Sequence, residues 1–274
     1  MSRGLTEKRV PRASEYRTIL SGDIELGYRV SGSGSPVILV HGLAEDGASW
    51  DEVAAILSEG HKVHALDFRG HGASQAGQGD GTLGQLADDL NRFIEAVTGP
   101  AVLVGFSLGG MIVLEAGLRR PDLASKVMAV GTSSKVGRAA AEFFAARIAL
   151  LESDPSAFAV ALADDTAGQL HHRKELTAGI AAARVKAVGQ GAGYINAARA
   201  MLGVVQAPLT ERLSGIKVPV HIIQGLQDQY CPLRAAEIMR EAMPFATYGE
   251  IPDAGHLIAA DQPELLAAEI LKNI

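Results

Sequence analysis

Short, wholly apolar runs alternate with longer amphipathic stretches along most of this chain. Val37 to Val40, Val63 to Leu66 and the run into Gly105 are continuous apolar segments bounded by turn residues, the pattern of strands covered on both faces. Tyr16 to Leu20 and Ile24 to Ser31, joined across Ser21-Gly22-Asp23, read as a hairpin at a sheet edge. Ala48 to Ser58 puts Trp50, Val53, Ile56 and Leu57 on one helical stripe. Thr82 is a candidate N-cap, with Gln85 at the reciprocal capping position, for a helix running to about Val97, where Gly99-Pro100 stops it. A helix from Met111 to Arg119, a break at Pro121 and a strand from Val127 to Val130 continue the rhythm. It resumes with a strand from Val218 to Gln224, a helix from Leu233 to Ala242, a strand near Ala246 to Ile251 and a final helix from Pro263 to Lys272. The pattern predicts an α/β fold: a mainly parallel eight-stranded sheet flanked by helices, with function at the carboxyl ends of the strands.

The rhythm is interrupted once. Between about Thr132 and Gly215 the chain is alanine-rich and helical, with candidate helices Arg138 to Leu151, Ser156 to Ala163, Lys174 to Val188 and Tyr194 to Leu202. This block reads as a helical cap, residues 132–215, inserted into a core made of 1–131 and 216–274. No internal repeat is present.

Composition narrows the class. A chain of 274 residues, 47% hydrophobic, can bury a large core. Its one cysteine, Cys231, rules out an internal disulfide and a cysteine-based zinc site. A net charge of -6 gives no support for nucleic-acid binding. Met1 to Tyr16 is polar and basic without the apolar segment of a signal peptide. No run approaches the roughly 20 apolar residues of a membrane helix. The expectation is a cytoplasmic protein acting on a small molecule, with homo-oligomer formation left open.

The chemistry centres on Val102 to Gly110, V-L-V-G-F-S-L-G-G. A strand-like run entering G-x-S-x-G and leaving as a helix is the spelling of a sharp turn that presents Ser107 as a nucleophile. A serine hydroxyl needs a base to take its proton, and the base needs a carboxylate to hold its tautomer. Among eight histidines, His256 sits in the loop after the last predicted strand. His41 and His71, also on strand-end loops, are its competitors. His171 and His172 fall in the helical block, and His61, His64 and His221 fall in or beside strands. Asp228, in the loop after Val218 to Gln224, is preferred as the acid. Asp253 is too near His256 in the chain to hold its ring well. Oxyanion donors are expected from the backbone N–H groups of Leu43 and Leu108. Arg69 is expected to brace its loop and Cys231 to pack as a small apolar residue. Gly79 to Gly84 spells G-x-G-x-x-G but follows a polar loop instead of a strand, so no nucleotide is expected, and no metal motif is present.

These residues together carry a resemblance. His41-Gly42, Asp67 to Gly72 in the form D-x-R-G-H-G, the G-F-S-L-G-G turn, Asp228 and Gly255-His256 make the chain similar to the α/β-hydrolases over Val37 to His256. A finer likeness, to 3-oxoadipate enol-lactonases and related small esterases, rests on Ala192-Gly193-Tyr194, Ala197-Ala198 and Leu209 to Ile216. Where those lactonases carry a small residue after His-Gly, this chain has Leu43. The resemblance implies a cofactor-independent serine hydrolase forming an acyl-enzyme on Ser107, with Asp228 and His256 completing the triad. The same triad also serves carbon-carbon bond hydrolases of meta-cleavage products and cofactor-free perhydrolases, and the pocket alone would serve a ligand sensor. Arg138, Arg147, Arg184 and Arg199 in the cap are candidates to hold a substrate carboxylate. A small, mainly apolar substrate is the expectation.

Overall fold

Glu15–Ser21 (β1) and Ile24–Gly32 (β2) form the expected edge hairpin, with Gly22 supplying the positive φ of +62° its turn requires. The computed structural model describes residues 14–274, and the reading of the first thirteen residues as leaderless lies outside them. The strands Pro36–Val40 (β3), Lys62–Leu66 (β4), Ala101–Phe106 (β5), Ala124–Val130 (β6), Val220–Gly225 (β7) and Thr247–Ile251 (β8) follow. They assemble into one eight-stranded sheet in the order β1-β2-β4-β3-β5-β6-β7-β8. The pairings of β1 with β2 and of β2 with β4 are antiparallel, and all others are parallel.

The chain leaves β3 toward β4 on one side and returns to β5 on the other. That reversal opens a crevice at the carboxyl ends of β3 and β5, the place where open α/β sheets bind ligands. Val37 to Val40 are fully buried, because helices cover both faces. On one face lie Asp51–Leu57 (α1), Ile258–Asp261 (α9) and Pro263–Lys272 (α10), packed through Val53, Leu57, Ile258, Leu266 and Ile270. On the other lie Leu83–Phe93 (α2), Leu108–Arg119 (α3) and Leu233–Ala242 (α8), packed through Leu86, Phe93, Ile112 and Met239. Thr82 caps α2 by accepting the Gln85 N–H at 3.1 Å. The reciprocal arm is absent: the Gln85 carboxamide accepts the Asp80 N–H instead, and the Thr82 N–H goes to Asp80.

Between β6 and β7 run Arg138–Ser153 (α4), Pro155–Gln169 (α5), Thr177–Val188 (α6) and Ala192–Gln206 (α7). Lys174 to Leu176, read as the start of a helix, form a 3-10 turn before α6. The block has its own small core of Ile148, Leu151, Phe158, Leu162, Val188 and Tyr194, which closes over Ala44. The last of these helices faces two ways: Tyr194 and Ala198 enter that core, while Ala197, Met201 and Val204 join the core of the sheet. The G-x-G-x-x-G stretch lies against α7. A side chain at Gly79 would collide with Asn196, and the Gly81 N–H donates to Asn196 Oδ1 at 2.7 Å. These glycines serve a close approach of loop to helix. No helix among the described residues is long and apolar enough to cross a membrane.

Two buried charges brace the loops below the crevice. Asp67, at the end of β4, accepts the N–H groups of Gly47 and Ala73 and the Tyr16 hydroxyl. Arg69, its side chain 1% exposed, grips Asp89 through Nε and Nη2 at 2.7 and 2.9 Å and Asp23 through Nη1 and Nη2. Removing one partner of such a pair leaves a buried charge uncompensated. Asp89→Ala is therefore expected to lower the unfolding free energy by about 3 kcal/mol. Urea titration would show this as a lower midpoint at unchanged slope, and a loss below about 1 kcal/mol would mean that Asp23 alone satisfies the guanidinium.

Candidate active site

The turn from β5 into α3 places Ser107 above the sheet with φ of +52°, in a region that residues with side chains rarely occupy. Glycine is required on both sides of it. A Cβ on Gly105 would lie 2.1 Å from the Gly109 carbonyl oxygen, and one on Gly109 would lie 2.2 Å from that of Val40. The strained peptide is held from below: the Ser107 N–H donates to Val130 O at 2.9 Å, and Ser107 O accepts from Thr132 Oγ1 at 2.6 Å.

Two loops bring their side chains to this serine. His256, after β8, has Nε2 3.1 Å from Ser107 Oγ and Nδ1 2.8 Å from Asp228 Oδ2. Asp228, after β7, is fully buried as a side chain. Its other oxygen accepts the N–H groups of Tyr230 and Cys231 at 2.8 and 2.9 Å, so both oxygens point by design of the loop. The imidazole lies between the rings of Phe106 and Tyr230 at 4.9 and 5.4 Å. Asp253, the rejected acid, turns outward to His171 and His172 at 3.2 and 2.6 Å.

The competing histidines are occupied elsewhere. His41 accepts the Phe68 N–H on Nε2 at 3.2 Å, so its proton must sit on Nδ1, which donates to Gly42 O at 2.8 Å. Burial pulls its pKa down to about 3, so it stays neutral at working pH. Gly42 O also accepts the Glu45 N–H at 3.3 Å. In a trans peptide the C=O and N–H groups point in opposite directions. Pinning the Gly42 carbonyl therefore fixes the peptide plane that carries the Leu43 N–H, and Leu43 and Ser107 line the same cavity. The N–H groups of Leu43 and Leu108 donate no hydrogen bond among the described residues. Both are free to meet an oxygen.

Above these groups lies a cavity of about 550 Å³, walled mainly by apolar residues such as Met111, Phe143, Phe144, Leu162, Met201 and Ile238. Three of the four candidate arginines pair with carboxylates. Arg138 pairs with Glu142 in solvent and Arg199 with Glu152. Arg147 forms a two-point pair with Asp165 at 2.8 Å under the Phe143 ring. Only Arg184 is buried against the site. It donates Nη1 to Thr166 and Gln169 and Nη2 to Leu43 O, joining α6 to α5 and to the Leu43 loop. Glu45 faces it electrostatically; burial raises the Glu45 pKa, and the nearby guanidinium opposes that rise. Arg184, Phe106 and Leu257 also line a side cavity of about 250 Å³ that reaches Trp50 and Ile180.

Residues 35–263 match the sequence profile described as the alpha/beta hydrolase fold. The chain belongs to this family. A Mycobacterium tuberculosis protein named as a non-heme bromoperoxidase, BpoC, is 29% identical over 259 residues, which cover 91% of this chain and 97% of that one. The 3-oxoadipate enol-lactonase 2 of Acinetobacter baylyi is 25% identical over 253 residues, 90% and 92% of the two chains. The solved structure of a thermophilic esterase from Thermogutta terrifontis superposes with a TM-score of 0.79 at 26% identity, covering 94% of this chain and 97% of that one. The protein is thus an α/β-hydrolase with esterase- and lactonase-type relatives.

Three contributors to the site's geometry escaped the sequence reading. Glu45 carries its signal only as an acid three residues after Gly42, whose N–H it accepts at 3.0 Å. Asp261 has none in the hydropathy pattern, yet it is 1% exposed. It accepts the N–H groups of His171, His172, Arg173 and Gly255 at 2.8 to 3.1 Å, tying the α5–α6 connector to the His256 loop. Gln169 adds a second tie by accepting the Leu257 N–H at 3.1 Å.

Buried neutral histidines give the protein a defined acid response. Burial lowers the pKa of His41 and His71 to about 3 and of His64 to about 4, against about 6.5 in the unfolded chain. Below pH 6.5 the unfolded chain takes up protons that the folded one refuses, so stability falls as pH falls. Each such histidine contributes about 1.4 kcal/mol per pH unit between about pH 6 and its folded value. His64 has no partner on either ring nitrogen and sits beside Tyr28 and Phe93. His64→Leu should flatten the stability profile by that one-proton slope between about pH 6 and 4, read from urea unfolding at a series of pH values. Parallel profiles would show that His64 is protonated in the folded state.

Proposed function

We propose that this protein is a cofactor-independent serine hydrolase that cleaves a carboxylic ester or lactone of a small, mainly apolar substrate. The observation that carries this reading is the hydrogen-bonded sequence Ser107, His256, Asp228 at 3.1 and 2.8 Å, with two uncommitted backbone N–H groups beside it. His256 takes the Ser107 proton as Oγ attacks the carbonyl carbon. Asp228 holds the ring with its proton on Nδ1 and stabilises the imidazolium that forms. The oxyanion is received by the N–H groups of Leu43 and Leu108, donors already fixed before the charge develops. His256 then returns its proton to the leaving alkoxide, and an acyl-enzyme remains. A water deprotonated by the same imidazole releases the acid. The helical block, residues 132–215, acts as the lid that excludes water and shapes the pocket over a core of 1–131 and 216–274.

A neutral substrate is favoured because Arg147 is paired with Asp165 and both Nη atoms of Arg184 already have acceptors, which leaves only the buried Nε of Arg184 without one. Lys135 lines the cavity but is exposed, and a hydrated ammonium holds a carboxylate weakly. The 29% identity to a protein named as a non-heme bromoperoxidase supports peroxide as the alternative acyl acceptor on the same triad.

Ser107→Ala should abolish hydrolysis of p-nitrophenyl esters with the fold retained by circular dichroism. Activity above a tenth of wild type would remove Ser107 as nucleophile. Asp228→Asn keeps the shape but reverses the imidazole tautomer, and kcat should fall by about 10⁴. Collapse in Asp253→Asn instead would move the acid to the other loop. Substrate class is tested by kcat/KM for paired lactones with and without a carboxylate, alongside a chromogenic meta-cleavage dienoate and ester turnover with added peroxide. A strong preference for the acid, lost in Arg184→Ala alone, would overturn the neutral reading.

A further inference from the structure

Cys231 lies three residues past Asp228 in the loop after β7, and the fold gives its thiol neighbours that the sequence does not suggest. One donor atom from each of Asp228, Cys231 and His256 lies within 4.8 Å of the other two. The imidazole atom that faces Asp228 is Nδ1. A single cysteine excludes a cysteine cluster, but the folded chain supplies the imidazole and the carboxylate from two loops. Thiolate, imidazole and carboxylate are together the ligand set of a borderline-soft divalent ion, and three protein ligands leave a fourth position for water. Cys231 and His256 both line the main cavity, so an ion can arrive from solvent and keep that water.

We propose that Asp228, Cys231 and His256 form a reversible, inhibitory binding site for a divalent cation of the zinc class. Binding releases one proton, from the Cys231 thiol to solvent. Asp228 binds as the carboxylate. The imidazole stays neutral, but the metal takes the lone pair of Nδ1, so the ring proton moves to Nε2. There it points at Ser107 Oγ as a donor and cannot accept the serine proton. The site silences the base by imposing the tautomer that Asp228 otherwise excludes. The effect on rate rests on the triad proposed above, whereas the binding does not.

The test uses the full chain, freed of metal with a chelator. Cobalt(II) is expected to bind one per chain with a sulfur-to-cobalt charge-transfer absorption. Ser107→Ala should bind equally, and both Cys231→Ala and His256→Ala should lose the band while remaining folded by circular dichroism. Zinc should inhibit ester hydrolysis reversibly with EDTA. In Cys231→Ala, compared with that variant's own metal-free rate, the inhibition constant should weaken about tenfold or more, since even an outer partner of a metal ligand is worth 10–100-fold. Absence of the band in wild type would overturn the proposal. So would zinc inhibition that is unchanged in Cys231→Ala but lost when His171 and His172 are replaced, because the ion would then sit at the exposed histidines on Asp253. If Ser107→Ala kept its activity, the triad would fail while the cobalt result stood.

Discussion

Everything in the crevice depends on one backbone constraint, the turn that holds Ser107 at φ +52°. Such a conformation costs on the order of 1–3 kcal/mol and survives only where the surroundings over-determine it. Here they do. The Gly105 and Gly109 backbones pack without room for a methyl group, and three donors converge on the Ser107 carbonyl: Thr132 Oγ1 and the N–H groups of Gly110 and Met111. The sheet supplies the rest, since β5 lies between β3, which leads into the Leu43 loop, and β6, whose end holds the Ser107 N–H.

The polar groups around this turn divide by protonation. His41 and His71 are kept neutral by burial: His41 acts as a fixed donor and acceptor, while His71 holds only Arg69 O through Nδ1. Asp228 spends both oxygens on donors. Arg184 brings positive charge close to the Leu43 loop, but its Nη atoms donate to Leu43 O and to α5. The guanidinium therefore fixes backbone geometry.

Much of this was legible beforehand because strands buried on both faces leave unbroken apolar runs. Val37 to Val40 and Val102 to Val104 are such runs, and Gly-x-Ser-x-Gly at the end of one has few structural uses. Ser107, Asp228 and His256 could be named because each falls on a loop directly after a strand, and parallel topology gathers those loops at one edge. The limits are equally physical. Gln85 stands at the right spacing for a capping box, yet Asp80 competes for the same donors. The four candidate arginines among residues 132–215 look alike in sequence, and only burial distinguishes Arg184 from Arg138, which is 92% exposed as a side chain. Asp261 and Glu45 act on N–H groups of other segments or of a turn, and backbone partners leave no mark on the hydropathy pattern.

Asp261 has a consequence for how such a cap can be exchanged. Its carboxylate gathers three N–H groups from the α5–α6 connector and one from the loop of the base. The cap is thus anchored to the very segment that carries His256, and is not a module joined to the sheet only at 132 and 215. A graft of this block from another family member would also replace the amides that brace, through Asp261, the loop of His256. Chimeras joined at its two ends alone would lose these hydrogen bonds, whereas those carrying the connector together with residues 253–261 would keep the block and the His256 loop in register.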